Sequence, residues 1–209
     1  MLFRSHELDY FATYVGLEEA ATTLFGYQSS IVHGLLQTVD YARAMYKAGL
    51  PAEFTLERAE ELIRVRLRRQ EVLTRNSPLR VFALLDEAAL HRVVGGPEVM
   101  GAQLEHLVEV ASLPNVTLGV IPYSAGAHPA MDNAFSILDF ANVAPTVVYV
   151  EGLMGWLYIE RPQEVERYQQ VFEYLCAMAL SKEDTIELIR ESRKRYSAAP
   201  VPRIAWRSK

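Results

Sequence analysis

The 209-residue chain contains one cysteine, Cys176, so no intrachain disulfide framework supports it and a reducing compartment is expected. No apolar run approaches the roughly 20 residues that a membrane-crossing helix requires, and the opening MLFRSHELDYF lacks the apolar core of a secretory signal. A cytoplasmic protein without membrane contact follows. The histidines His6, His33, His91, His106 and His128 show neither H-x-E nor H-E-x-x-H spacing and have no cysteine companions, which removes the common zinc arrangements. The patterns G-x-S-x-G, G-x-G-x-x-G and G-x-x-x-x-G-K are missing too, so hydrolase-elbow, dinucleotide and P-loop chemistry has no local support and no cofactor is expected.

Acidic residues outnumber basic ones outside one end. Residues 190–209 hold seven Lys/Arg against the single acid Glu191, whereas everything before them carries a net charge of −11. An acidic body repels phosphate backbones, so no direct nucleic-acid binding is expected of the folded part. The Pro-containing basic stretch 196–209 reads as a flexible, solvated tail behind a single domain spanning 1–195.

With half of its side chains hydrophobic, the chain can bury a substantial core. Residues 7–23 carry an imperfect helical stripe of Leu8, Phe11, Val15 and Leu17. LFGYQSSIV is either a strand or an extended linker. A helix enters at Thr38 and ends at Gly49-Leu50-Pro51, and 55–75 is the clearest helix, capped by Thr55. Its apolar members Ala59, Leu62, Ile63, Leu67 and Leu73 share one face with Arg66 and Gln70, whereas Arg64, Arg68 and Arg75 point off that face. The run LRVFALLDEAAL reads as a strand turning at Asp86-Glu87 into a short helical piece, followed by a helix over 97–112 begun by Pro97. NVTLGVIPY is a second strand, and FSILDF and PTVVYVEG form an antiparallel hairpin. Helices over 163–180 and 182–195 close the domain, the latter behind a capping-box-like Ser181-x-x-Asp184. Cys176 falls on the apolar stripe of 163–180, where a small core thiol is expected, and Trp156 and Tyr158 either cover the sheet edge or face a partner. The fold class is α+β, a small mixed or antiparallel sheet of about four strands covered by amphipathic helices.

Three ionisable groups stand out by position: Glu87 after the first strong strand, Glu151 at the end of the fourth, and Arg66 on an apolar helix face. Buried charges need partners, so an Arg66–carboxylate ion pair tying helix to sheet is one reading. A second makes Arg66, Gln70, Glu87, His128, Phe135, Tyr149 and Glu151 the lining of a ligand pocket, polar groups among aromatic walls. A third makes Glu87 and Glu151 a catalytic acid/base pair whose pKa values are driven apart by environment.

The phrases GLLQTVDYARAM, RVRLRRQEVL, LLDEAALHRVVGGPEVMGAQLEHL, NVTLGVIPYSAGAH, FSILDF and VVYVEG, in that order, resemble the uncharacterised C-terminal domain of actinobacterial Xre-type helix-turn-helix regulators across nearly all of residues 8–190. The resemblance implies a domain that binds a small molecule or a small partner protein and adjusts a DNA-binding domain. Two departures accompany it. The family's Pro-Gly-Leu-Leu-Gln-Thr reads His33-Gly34-Leu35-Leu36-Gln37-Thr38 here, making His33 a candidate for new surface chemistry. Nothing before residue 8 has the length of a helix-turn-helix, so the expectation is a detached effector domain. An enzyme working on a secondary metabolite through Glu87 or Glu151 is the alternative. A homodimer, or an antagonist heterodimer with a full-length regulator, is a further possibility that the resemblance opens.

Overall fold

Strand-forming runs of β-branched and aromatic residues alternate with helical stripes along this chain, an order that favours a sheet with helices packed on its faces. The computed structural model describes residues 3–49, 56–141, 143–152 and 155–197. Its strands are β1 (Thr23–Gln28), β2 (Arg80–Asp86), β3 (Val116–Ile121), β4 (Phe135–Asp139), β5 (Val147–Gly152) and β6 (Gly155–Ile159). The helices are α1 (Phe3–Ala20), α2 (Val39–Gly49), α3 (Leu56–Arg69), α4 (Ala88–His91), α5 (Pro97–Val110), α6 (Pro162–Met178) and α7 (Lys182–Ser197).

The six strands form one mixed sheet in the order β3-β2-β1-β4-β5-β6. β1, β2 and β3 run parallel to one another, and β4, β5 and β6 continue the sheet antiparallel. Parallel neighbours need long crossovers, and here α2 and α3 connect β1 to β2 while α4 and α5 connect β2 to β3. The expected hairpin of β4 and β5 is present, with Ser136 opposite Tyr149.

The sheet has two more strands than the sequence indicates. β1 resolves the segment whose assignment was open, and its Gly26 weakens the strand signal for a reason visible only in space. The His33 ring lies over it, so that a Cβ there would stand 3.2 Å from the ring. Trp156 and Tyr158, expected to cover the sheet edge or to face a partner, belong to β6, in which Gly155 pairs directly with Gly152, the spacing of a two-residue hairpin. The first helix also stops earlier than its pattern, at Ala20, because Thr23 is taken into the ladder opposite Arg80 and Asp139.

Alternation along the strands divides the core between the two sheet faces. One face carries Leu24, Val81, Ala83, Leu85, Leu118 and Leu138, covered by Tyr14 of α1, Tyr41 of α2, Leu104 and Leu107 of α5 and Ile189 of α7. The other carries Tyr27, Leu84, Phe135, Ile137 and Val148, covered by Phe172 and Leu175 of α6. Cys176, expected in the core, is exposed. The buried stripe of α6 runs through Val165, Phe172 and Leu175, and Cys176 is turned about 100° from Leu175, toward solvent.

The helix ends follow local chemistry. Tyr41 N–H donates to Thr38 Oγ1 at the start of α2, and Pro97 occupies the first turn of α5. Thr55, the expected cap of α3, lies outside the described residues. Asp184 N–H donates to Ser181 Oγ at 3.1 Å, so Ser181→Ala should lower stability by about 1 kcal/mol, read as a fall in urea midpoint without a change in slope. The same junction covers the outer edge of β3: Leu180 N–H donates to Val120 O, and Thr185 Oγ1 accepts from Val120 N–H. α7 continues to Ser197, two residues past the expected domain end, and residues 198–209 of the basic tail lie outside the described residues.

Candidate functional site

A row of side chains crosses the helix-rich sheet face in register: Leu118, Ala83, Gly26, Ser136, Tyr149 and Tyr158. Its middle members are small: the His33 ring takes the space over Gly26, and a hollow opens beside that ring at Ser136 of β4. The hollow lies toward the C-terminal end of β1. The chain leaves there for α2 and α3 on one side, while β4 packs against β1 on the other. Ligands of open α/β sheets favour such a divergence.

A cavity of about 300 Å3 opens at this position. Tyr14, Tyr149 and Tyr46 supply aromatic walls, Ser29, Ser30 and Ser136 supply hydroxyls, and Arg66, Arg69 and His33 supply nitrogen donors, while Phe135 borders the cavity with its ring packed into the core of the opposite face. Tyr14 and Tyr149 pack against each other at 4.2 Å between ring centroids, their planes tilted by 33°. Burial lifts both hydroxyls well above their ordinary range, helped by Glu18 at Tyr14 and by Glu151 at Tyr149, so both stay protonated.

Arg69 is held by a buried bidentate ion pair, with Nε and Nη2 donating to the Glu18 carboxylate at 2.7 and 2.8 Å. The two side chains are 5% and 1% exposed. The Arg69 guanidinium also lies 5.0 Å from the Tyr14 ring centroid. An ion pair does tie α3 to the rest of the fold, then, but through Arg69 and α1 rather than through Arg66 and the sheet. Both partners left a trace in the sequence. Arg69 lies one heptad beyond Leu62, within roughly 20° of the apolar face, and Glu18 sits four residues after Tyr14 and three before Ala21, both buried.

Arg66 and Gln70 converge on Gln37. Arg66 Nη1 donates to Gln37 Oε1 at 2.6 Å, and Gln70 Nε2 donates to Gln37 O at 2.7 Å. Gln37 is itself buried and donates from Nε2 to Val32 O. Gln103 of α5 fixes the same turn, donating to Leu36 O and accepting from Thr38 N–H. These glutamines make a rigid frame of the segment that carries His33.

His33 is buried, not a surface group. Its Nδ1 accepts the Leu35 N–H at 3.3 Å, so the neutral ring carries its proton on Nε2. Burial, opposed by Glu18 and reinforced by Arg69 and Arg66, pushes its pKa down to about 4. An imidazole holds the helical turn at Gly34–Leu36.

The structure divides the residues singled out in the sequence. Arg66, Phe135, Tyr149 and Glu151 line the cavity, with Glu151 exposed at its rim and Gln70 one contact behind. Glu87 is elsewhere: its carboxylate meets His91 Nε2 at 3.0 Å and accepts Tyr123 N–H at 2.8 Å. The ends of β2 and β5 point the same way but three strand spacings apart, about 14 Å. Glu87 and Glu151 therefore do not form a catalytic pair. His128 lies on the opposite sheet face, beside Tyr27 at 3.4 Å and Asp86 at 3.6 Å. Phe135 also borders a second hollow of about 820 Å3 between β6 and α6, whose rim carries Glu160, Arg161, Glu164 and Arg167.

The sequence model of a domain of unknown function, DUF5753, matches residues 11–191. The chain belongs to the DUF5753 family. A comparison with curated proteins returns no match. The matched segment of the DUF5753 domain contains all six strands, the cavity and the Glu18–Arg69 pair.

Proposed function

We propose that this DUF5753 domain binds a small molecule in the cavity at the C-terminal end of β1, acting as the effector part of a regulator of the Xre type that its sequence resembles. The observation that carries the reading is the half-buried Arg66 guanidinium on the wall of an aromatic cavity, held by a neutral amide. Binding sites are concave and largely apolar, with a few fixed polar groups, and the Gln37–Gln70–Gln103 frame fixes this one. The larger hollow beside α6 is a weaker candidate, because its charged residues are exposed to water and screened. Binding is favoured over catalysis by the placement of the carboxylates. Glu18 is committed to Arg69, Glu87 lies across the sheet, and Glu151 is the only carboxylate among the described residues that line the cavity.

Native mass spectrometry of the protein after exposure to a metabolite-rich lysate tests this. The expected result is a retained small molecule that is released unchanged, and Ser136→Leu, which fills the floor of the cavity, should retain none of it. Release of a chemically altered compound would replace binding by turnover.

A further inference from the structure

We infer that the occupant of this cavity is a small aromatic anion, its carboxylate or equivalent group set against Arg66 and its flat body against the paired Tyr14 and Tyr149 rings. The inference rests on the ligand-binding reading above and names the chemistry of the ligand.

Two arginines one turn apart on α3 line the same cavity and are treated oppositely. Arg69 has its counter-charge in Glu18. Arg66 has no carboxylate within 4 Å among the described residues; its contacts are the Gln37 amide and the Tyr46 ring, 5.0 Å from its Cζ. Its Nε–H is buried with no hydrogen-bond partner. A guanidinium withdrawn from water without a counter-charge is costly, and the fold retains this one in a fixed orientation. Amide on one side and aromatic face on the other leave the planar fork ready for an oxyanion, the partner it recognises best.

The surroundings agree. His33 is neutral and carries its proton on Nε2, so it can donate without adding a competing charge. Gly34 brings backbone close to both guanidinium groups, where a Cβ would stand 3.7 Å from Arg69 and 4.0 Å from Arg66. Glu151 is exposed at the rim and makes no ion pair with Arg66. The Tyr14–Tyr149 pair and the Tyr46 ring suit a planar apolar body, and about 300 Å3 limits its size.

Calorimetry with phenylacetate, phenylacetamide and phenethylamine tests the assignment, since the three share ring and reach and differ in head-group charge. Phenylacetate should bind roughly tenfold or more tightly than the amide, the ratio expected for a charge-assisted hydrogen bond. Arg66→Gln should bring the acid-to-amide ratio near one, and Arg66→Lys should keep part of the preference. The ratio is read within each variant, so a modest loss of stability does not disturb it. Equal binding of acid and amide, preference for the amine, or an undiminished ratio in Arg66→Gln overturns the anion and leaves a cavity that binds something else. If none of the three binds, the anion assignment also falls. A neutral and cationic compound set that likewise leaves the melting temperature unmoved extends that failure to the binding reading.

Discussion

Replacing Glu18 by Gln should lower the unfolding free energy by about 3–5 kcal/mol, the cost of leaving one partner of a buried ion pair without its counter-charge. Arg69 would remain 5% exposed, its guanidinium facing an amide that satisfies at most part of its donors. Arg69→Met should cost a similar amount by stranding the Glu18 carboxylate. The double variant Glu18→Leu/Arg69→Met should recover much of the loss, because no buried charge then lacks a partner. Equilibrium urea unfolding of the four proteins closes this cycle, and single-variant losses below about 1 kcal/mol would show that the pair is not what joins α1 to α3. Arg66→Met makes a sharp contrast. It removes one hydrogen bond to a neutral amide and a ring contact, so its cost should be only about 1 kcal/mol.

Acidification should destabilise the protein through His33. Its pKa in the folded state is about 4, against about 6.5 for a histidine in an unfolded chain. Between those values the unfolded state takes up a proton that the native state refuses, so stability falls as pH drops through the window. The loss should reach roughly 2 kcal/mol by pH 5. His33→Asn keeps an acceptor for the Leu35 N–H and removes the titrating ring. Its stability should therefore change much less between pH 6.5 and 5, measured by urea unfolding at each pH, and curves that stay parallel to those of the native sequence would rule His33 out as the source. Glu18 and Arg69 face the ring with opposite charges, so the burial of the imidazole governs its titration.

Much of this architecture is legible in the chain itself. The helices α2, α3, α5, α6 and α7 follow their 3.6-residue stripes, β2 and β3 their apolar runs, and the β4–β5 hairpin its turn. Periodicity reports which face of an element is buried, and burial is the dominant favourable term in folding. β1 and β6 were the weak strands for opposite reasons. Gly26 gives up strand propensity to admit the His33 ring, whereas β6 is an edge strand whose exposed Leu157 blurs the alternation.

Sequence reasoning picked out Arg66, Phe135, Tyr149 and Glu151 among the residues that border the candidate cavity. Arg66 was noticeable because a charge on an apolar stripe violates the helical pattern, and Tyr149 and Phe135 because they are aromatics on a buried hairpin. Glu18 and Arg69 break the same rule, but they lie 51 positions apart on helices whose stripes are imperfect, and nothing local says that they meet. Glu87 and Glu151 show the reverse error. Both end strands that point the same way, and only the strand order β2-β1-β4-β5 places two strands between them.

What the sequence determined by itself is the class of elements, their order and the need of each misplaced charge for a partner, because these follow from local periodicity and the cost of desolvation. Tertiary structure decided the identity of those partners. Strand order and register are set by contacts between distant segments, and they gave Arg69 a carboxylate, gave Arg66 only an amide, and put a hollow beside both.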